Sequence, residues 1–218
     1  YKLYSFITGL FVASLLIANT LDSKIFTMWG LTLPAGIIIF PIVYLFGDIL
    51  TEVYGYTASR KVIWTGFISL IFMVTTYEIA GMLPSASFWG HQEAFDIILG
   101  NAPRIAIASM TAYFIGEFCN SFVLAKLKVR TGGHGMGLRF VMSTIVGEGV
   151  DTIIFVLIAF TGIFPNSELL QVILSAWAVK VAWEVIALPL TLPIVQWLKK
   201  IEQEDYFDKH TNFNPFRI

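Results

Sequence analysis

Residues 139–162 read RFVMSTIVGEGVDTIIFVLIAFTG. A helix that spans a membrane needs about 20 mostly apolar residues, and this run is long enough and apolar enough to be one. Glu148 and Asp151 nevertheless stand near its middle. An ionised carboxylate at a bilayer centre costs roughly 2.5–3.5 kcal/mol on insertion scales, so such acids line a cavity or find a partner. The combination recurs: Asp48, Glu52, Glu78, Glu117 and Glu184 also lie inside or at the edge of apolar stretches. The pattern predicts a polar site enclosed by a helical bundle, in a protein that binds or moves a small polar molecule.

Composition agrees. Of 218 residues, 56% are apolar and only 13% charged. Soluble domains carry about 25% charged residues, so a soluble globule is excluded. A net charge of −1 offers no footing for nucleic acid. The lone cysteine, Cys119, excludes a disulfide framework and reads as a small buried hydrophobe.

Six stretches qualify as spans: 3–21, 33–53, 62–82, 104–126, 139–162 and 170–198. The fold expected is an all-α, polytopic membrane protein, one domain of six helices over 1–218. Residues 3–20 lack a small-residue cleavage pattern and read as a first span, not a signal. Pro34 and Pro41 predict an irregular or re-entrant entry to the second span, and Pro189 and Pro193 a kink or break late in the sixth. With six spans the termini share a side with Lys2, Arg60, Lys61, Lys126, Lys128, Arg130, Arg139, Lys199, Lys200, Lys209 and Arg217, against Lys24 and Arg104 opposite. That excess places both termini in the cytoplasm. The loop 83–103 reads as an interfacial segment or lid, with His91 on its surface.

Helical spacing gathers the polar residues into stripes. Tyr44, Asp48, Thr51 and Glu52 share one face; Tyr113, Glu117, Asn120 and Ser121 another. Thr144, Glu148, Asp151, Thr152 and Phe155 form a third, and Trp177, Lys180 and Glu184 a fourth. Facing one another, spans 2, 4, 5 and 6 would enclose a chamber rich in acceptors. The alternative is that the polar groups only hold helices together. Lys180 with Glu184, at i,i+4, is the best candidate for such a structural pair, while Glu52 and Glu78 lie close enough to span ends to reach water. Asp48, Glu117, Glu148 and Asp151 outnumber the one basic residue at their depth, Lys180. Some of them must be protonated, solvated or matched to a donor-rich ligand. Asn19 either caps the first helix or meets the ligand. Gly9, Ala13, Ser14 and Ala18 suit a helix-packing or homodimer face.

The segments YLFGDILTE (44–52) and YFIGEFCNS (113–121) share an aromatic residue three before a glycine-acid pair, and GEGVDT (147–152) repeats that pair. A short internal repeat and chance both account for it. No P-loop, HExxH, GxGD or serine-nucleophile motif is present, and three scattered histidines make no metal cluster. An enzyme is not expected, nor a metal or cofactor.

Several runs are more specific: PAGIIIFP (34–41), GDILTEVYGY (47–56), KLKVRTGG (126–133) and STIVGEGVDT (143–152). Together they resemble the queuosine precursor transporter family, the VUT or YhhQ-like membrane proteins, from Asn19 to about Pro193. The resemblance implies an importer of 7-deazaguanine compounds (queuine and its 7-cyano and 7-aminomethyl precursors) in a bacterial inner membrane. It also implies a fold akin to the substrate-binding subunits of energy-coupling-factor transporters, and the alternative function is such a vitamin-binding subunit with a separate ATPase module. For a guanine-like edge, Glu117, Glu148 or Asp151 would accept paired N–H groups, and Asn120, Asn19 or Lys180 would serve the carbonyl. Phe155, Trp177 or Tyr113 would stack on the ring, Asp48 would pair with a cationic arm, and Glu184 completes the set. Alternating access follows, either proton-coupled or as facilitated diffusion.

Overall fold

The computed structural model describes residues 1–28, 31–100, 103–163 and 165–217. Helix α1 (Tyr4–Leu21) leads into a small antiparallel hairpin of β1 (Ile25–Met28) and β2 (Leu31–Pro34), then a 3-10 turn (Ala35–Ile38). There follow α2 (Phe40–Tyr54), α3 (Tyr56–Gly81), the short α4 (Gln92–Leu99), α5 (Pro103–Arg130), α6 (Met136–Phe160) and α7 (Asn166–Glu202). Hairpin apart, the fold is helical, as expected. Among the described residues five helical stretches are long and apolar enough to cross a membrane: α1, α3, the stretch containing α5, α6 and α7.

The stretch expected as the second span, 33–53, is built differently. Its first residues close the hairpin and form the 3-10 turn, leaving α2 with 15 residues. At 1.5 Å per residue that is about 22 Å, short of a hydrocarbon core of about 30 Å. Proline explains the shape. Pro41 falls in the first turn of α2, where its missing N–H is harmless, and the backbone before it is irregular as expected. Pro189 and Pro193 do not break the last helix, since the 37-residue α7 is continuous through both.

Burial is inverted relative to a soluble protein. Phe72 is 73% exposed while Asp48 is 1% and Glu52 0% exposed. Ile17, Ile68, Ile115, Ile186 and Leu190 also face outward, where lipid rather than water receives them. The chain is a multi-pass membrane protein. Within it, Phe11, Leu15, Val43, Leu70 and Tyr113 belong to one apolar core. Of the small-residue stripe on α1, Gly9 and Ala13 face outward and Ala18 inward. His91 precedes α4 and is exposed, as expected.

Helices α5 and α6 cross where the glycine-acid pairs stand. A Cβ on Gly116 would lie 2.7 Å from Asp151 Cβ and 3.1 Å from Gly147 O, and one on Gly147 would lie 2.5 Å from Asn120 Cβ. The glycines thus let two backbones approach and bring Glu117, Asn120, Glu148 and Asp151 to one level. Overpacking of this kind costs about 1–3 kcal/mol, so Gly147→Ala should lower the thermal unfolding midpoint in detergent. An unchanged midpoint would show that the crossing has slack.

Candidate functional site

Four helices contribute to one buried cluster. From α2, Asp48 accepts a 2.8 Å hydrogen bond at Oδ1 from Asn120 Nδ2 of α5. From α5, Glu117 places Oε2 against Gly47, 3.1 Å from where a Cβ would stand. From α6, Glu148 Oε2 and Asp151 Oδ2 lie 3.0 and 2.5 Å from Lys180 Nζ of α7. Glu184, one turn further along α7, interacts electrostatically with Asp48 and Glu148. Glu117 likewise feels Glu148, Asp151 and Lys180. These six charged residues form a single electrostatic group.

The structural pair expected between Lys180 and Glu184 is therefore corrected. The i,i+4 spacing allows it, but the lysine reaches across to α6 and meets two carboxylates there. Glu184 is left buried, with Oε1 unpartnered. Asp48 Oδ2, Glu117 Oε2 and Asn120 Oδ1 are also buried without a hydrogen-bond partner among the described residues, and each of these residues is at most 5% exposed. Such groups normally find partners, so each asks for a donor.

Other expected residues are placed elsewhere or already engaged. Asn19 Nδ2 donates to Leu15 O at 2.9 Å, and Asn19 Oδ1 accepts from Ser109 Oγ at 2.9 Å, so it ties α1 to α5 and caps nothing. Tyr113 donates its hydroxyl to Ile63 O on α3 at 3.3 Å. Trp177 donates Nε1 to Ile145 O at 3.0 Å, joining α7 to α6. Phe155 packs edge-on to Phe160, with centroids 5.9 Å apart.

A stacked aromatic pair beside the cluster is instead supplied by Phe40 and Tyr44 on α2. Their rings stack at 5.9 Å and 19°, and Lys180 Nζ lies 6.0 and 5.9 Å from the two centroids. The Tyr44 hydroxyl faces Glu148. Phe40, Tyr44 and Asp48 follow at four-residue intervals, a signal that was available in the sequence. Thr152, one turn beyond Glu148 on α6, has its Oγ1 buried without a hydrogen-bond partner among the described residues.

Glu52, expected to reach water, is fully buried in a second network. Arg139 Nη2 and Lys199 Nζ each lie 2.7 Å from Glu52 Oε1, and Lys128 Nζ lies 3.7 Å away. Lys128 also bonds Glu52 O at 2.5 Å, Asp205 Oδ1 at 2.5 Å and Tyr206 O at 2.8 Å. Burial alone would raise the Asp205 carboxyl, yet the bonds from Lys128 and Lys199 hold it below its ordinary value. At the other end of the bundle a separate groove of about 320 Å³, lined by Leu83, Phe88, Trp89 and Phe95 among others, carries no charged residue.

A family model described as "Putative vitamin uptake transporter" matches residues 34–194. A relative from Bacillus subtilis (strain 168), named "Probable queuosine precursor transporter", is 30% identical over 173 residues, 79% of this chain and 76% of its own length. A second relative of the same name, from Haemophilus influenzae, is 27% identical over 128 residues, 57% of this chain and 51% of its own. No solved structure gives a significant match.

Proposed function

Because the chain belongs to the vitamin uptake transporter family, we propose that it imports queuosine precursors, flat 7-deazaguanine compounds, by alternating access around the buried acids. The observation that carries this is the chemistry of the unpartnered atoms. Asp48 Oδ2, Glu117 Oε2, Glu184 Oε1 and Asn120 Oδ1 offer acceptors, while the nearby cation, Lys180, is taken by Glu148 and Asp151. A guest suited to this set brings several N–H donors. A guanine-like edge presents a ring N–H beside an exocyclic NH2, and a 7-aminomethyl arm adds an ammonium. Phe40 and Tyr44 supply the aromatic face that a flat ring needs.

The same chemistry ranks the roles. Glu117 and Glu184 take the paired N–H edge and Asp48 the charged arm, while Lys180 pairs with Glu148 and Asp151 behind them. Hydrogen bonds to charged groups are worth about 1.5–3 kcal/mol, so removing one charge should weaken binding by roughly tenfold or more. Asp48→Asn, Glu117→Gln and Glu184→Gln are each expected to cut uptake of labelled 7-aminomethyl-7-deazaguanine into proteoliposomes by at least about tenfold. Wild-type uptake by all three would end the proposal. Vesicles that contain this chain alone also separate a stand-alone carrier from a vitamin-binding subunit, since only the former accumulates the label. The surroundings are those of a bacterial inner membrane, with the Lys- and Arg-rich end in the cytoplasm.

A further inference from the structure

The most specific motif in the chain, GDILTEVYGY, contributes Asp48 to the cluster, and its remaining residues do something else. Glu52 stands one helical turn beyond Asp48 on the same face of α2. Its carboxylate gathers Lys128 of α5, Arg139 of α6 and Lys199 of α7. The four helices that carry the acid cluster are therefore tied together at one end by one side chain. Gly55 and Tyr56 seat the segment that follows α7.

That segment, 203–217, runs back across this end of the bundle. Tyr206 N donates to Val53 O at 3.1 Å, and the backbone N–H of Tyr56 donates to Asp208 Oδ2, also at 3.1 Å. Arg60 Nη1 donates to Asn212 O and Asn214 O at 2.9 and 2.8 Å, and Trp64 Nε1 to Pro215 O at 2.8 Å. The Phe213 ring lies 4.9 Å from that of Tyr56, with Lys126 Nζ 4.0 Å from its centroid. Gly55 has φ 82° and ψ 170°, and a Cβ there would collide with Tyr206. The turn is shaped for the strap.

We propose that residues 203–217 are the inner gate of transport, a strap bound while the acid cluster is closed at this end and released when the guest leaves. The proposal rests on the transport reading above. Asp205 is the detachable half of the charge balance: with the strap bound, Lys128, Arg139 and Lys199 face Glu52 and Asp205. When the strap lifts, Asp205 leaves with it, and three cations on three different helices share one carboxylate. Their mutual repulsion favours separation of α5, α6 and α7, so release of the strap and opening of the helices reinforce each other. Asp205 is 48% exposed, which makes it the accessible end of the network. Because Asp48 and Glu52 share a face of α2, a guest that turns or tilts this helix acts on both.

The test tethers the strap in the whole chain. Lys126→Cys and Phe213→Cys, with Cys119→Ser, are joined by a short cleavable bismaleimide, and the protein is reconstituted in vesicles. With labelled 7-aminomethyl-7-deazaguanine as the probe, uptake should fall at least tenfold while binding to the linked protein in detergent stays within twofold. Cleaving the linker should restore uptake. Uptake at the unlinked rate with the strap tethered would overturn the gate. Loss of binding together with uptake would reduce the strap to a structural brace and overturn it as well. Absence of both uptake and binding before linking would overturn the transport reading, and the gate with it.

Discussion

Lys180→Met is expected to destabilise the protein by about 3–5 kcal/mol, the cost of removing one partner from a buried ion pair. Two carboxylates depend on this ammonium, Glu148 at 3.0 Å and Asp151 at 2.5 Å, and Glu148 is shut off from solvent. Methionine fills a similar volume but leaves both acids without a counter-charge, among Asp48, Glu117 and Glu184, which repel them further. The loss should be recoverable. Lys180→Met combined with Glu148→Gln and Asp151→Asn removes all three charges together, and replacing an entire buried ion group is often neutral. Thermal unfolding in detergent is the measurement, with the single, double and triple variants compared. A single variant as stable as the parent would show that the ammonium is not the counter-charge of α6. Failure of the triple variant to recover would show that Lys180 acts through its packing instead.

The acid cluster was legible because each carboxylate interrupts an apolar run, and helical periodicity alone puts Asp48, Glu117, Glu148 and Glu184 on inward faces. Insertion cost then leaves few places for them. Partnering was not legible. The i,i+4 spacing of Lys180 and Glu184 is a condition for contact, but a lysine side chain is long enough to cross to the next helix, and α6 offered two carboxylates. The burial of Glu52 is hidden for a different reason: distance from the end of a helix does not set depth when other chain segments cover that end. What encloses Glu52 comes from far along the chain, in Lys128, Arg139 and Lys199, and the segment after α7 then folds back over the neighbouring Val53 and Tyr56. Packing between residues so far apart leaves no period to read. The hairpin before α2 was foreshadowed only as irregularity, since Pro34 and Pro41 say where a helix cannot begin and not what replaces it.

Glu52→Ala should be at least as damaging as Lys180→Met, about 3–5 kcal/mol, because the charges it strands lie deeper. Arg139, 2% exposed, would lose its anion outright, and Lys128 and Lys199 would be left to share Asp205, at 2.5 and 2.7 Å. The order of effects follows from that geometry. Glu52→Ala should exceed Glu52→Gln, whose amide oxygen still accepts from Arg139. Lys199→Met should be mildest, since solvent reaches Lys199 and two cations remain on Glu52. Chemical or thermal unfolding in detergent measures the series, and a Lys199→Met loss equal to that of Glu52→Ala would refute the assignment of Glu52 as the centre. The length of α2 explains why so much charge is concentrated here. With 15 residues, a turn rather than a helix at its start, and a single glycine before α3, α2 cannot be held in place by a full bilayer-length apolar contact. A buried carboxylate bound from three other helices supplies the fixed point that a longer helix would obtain from packing.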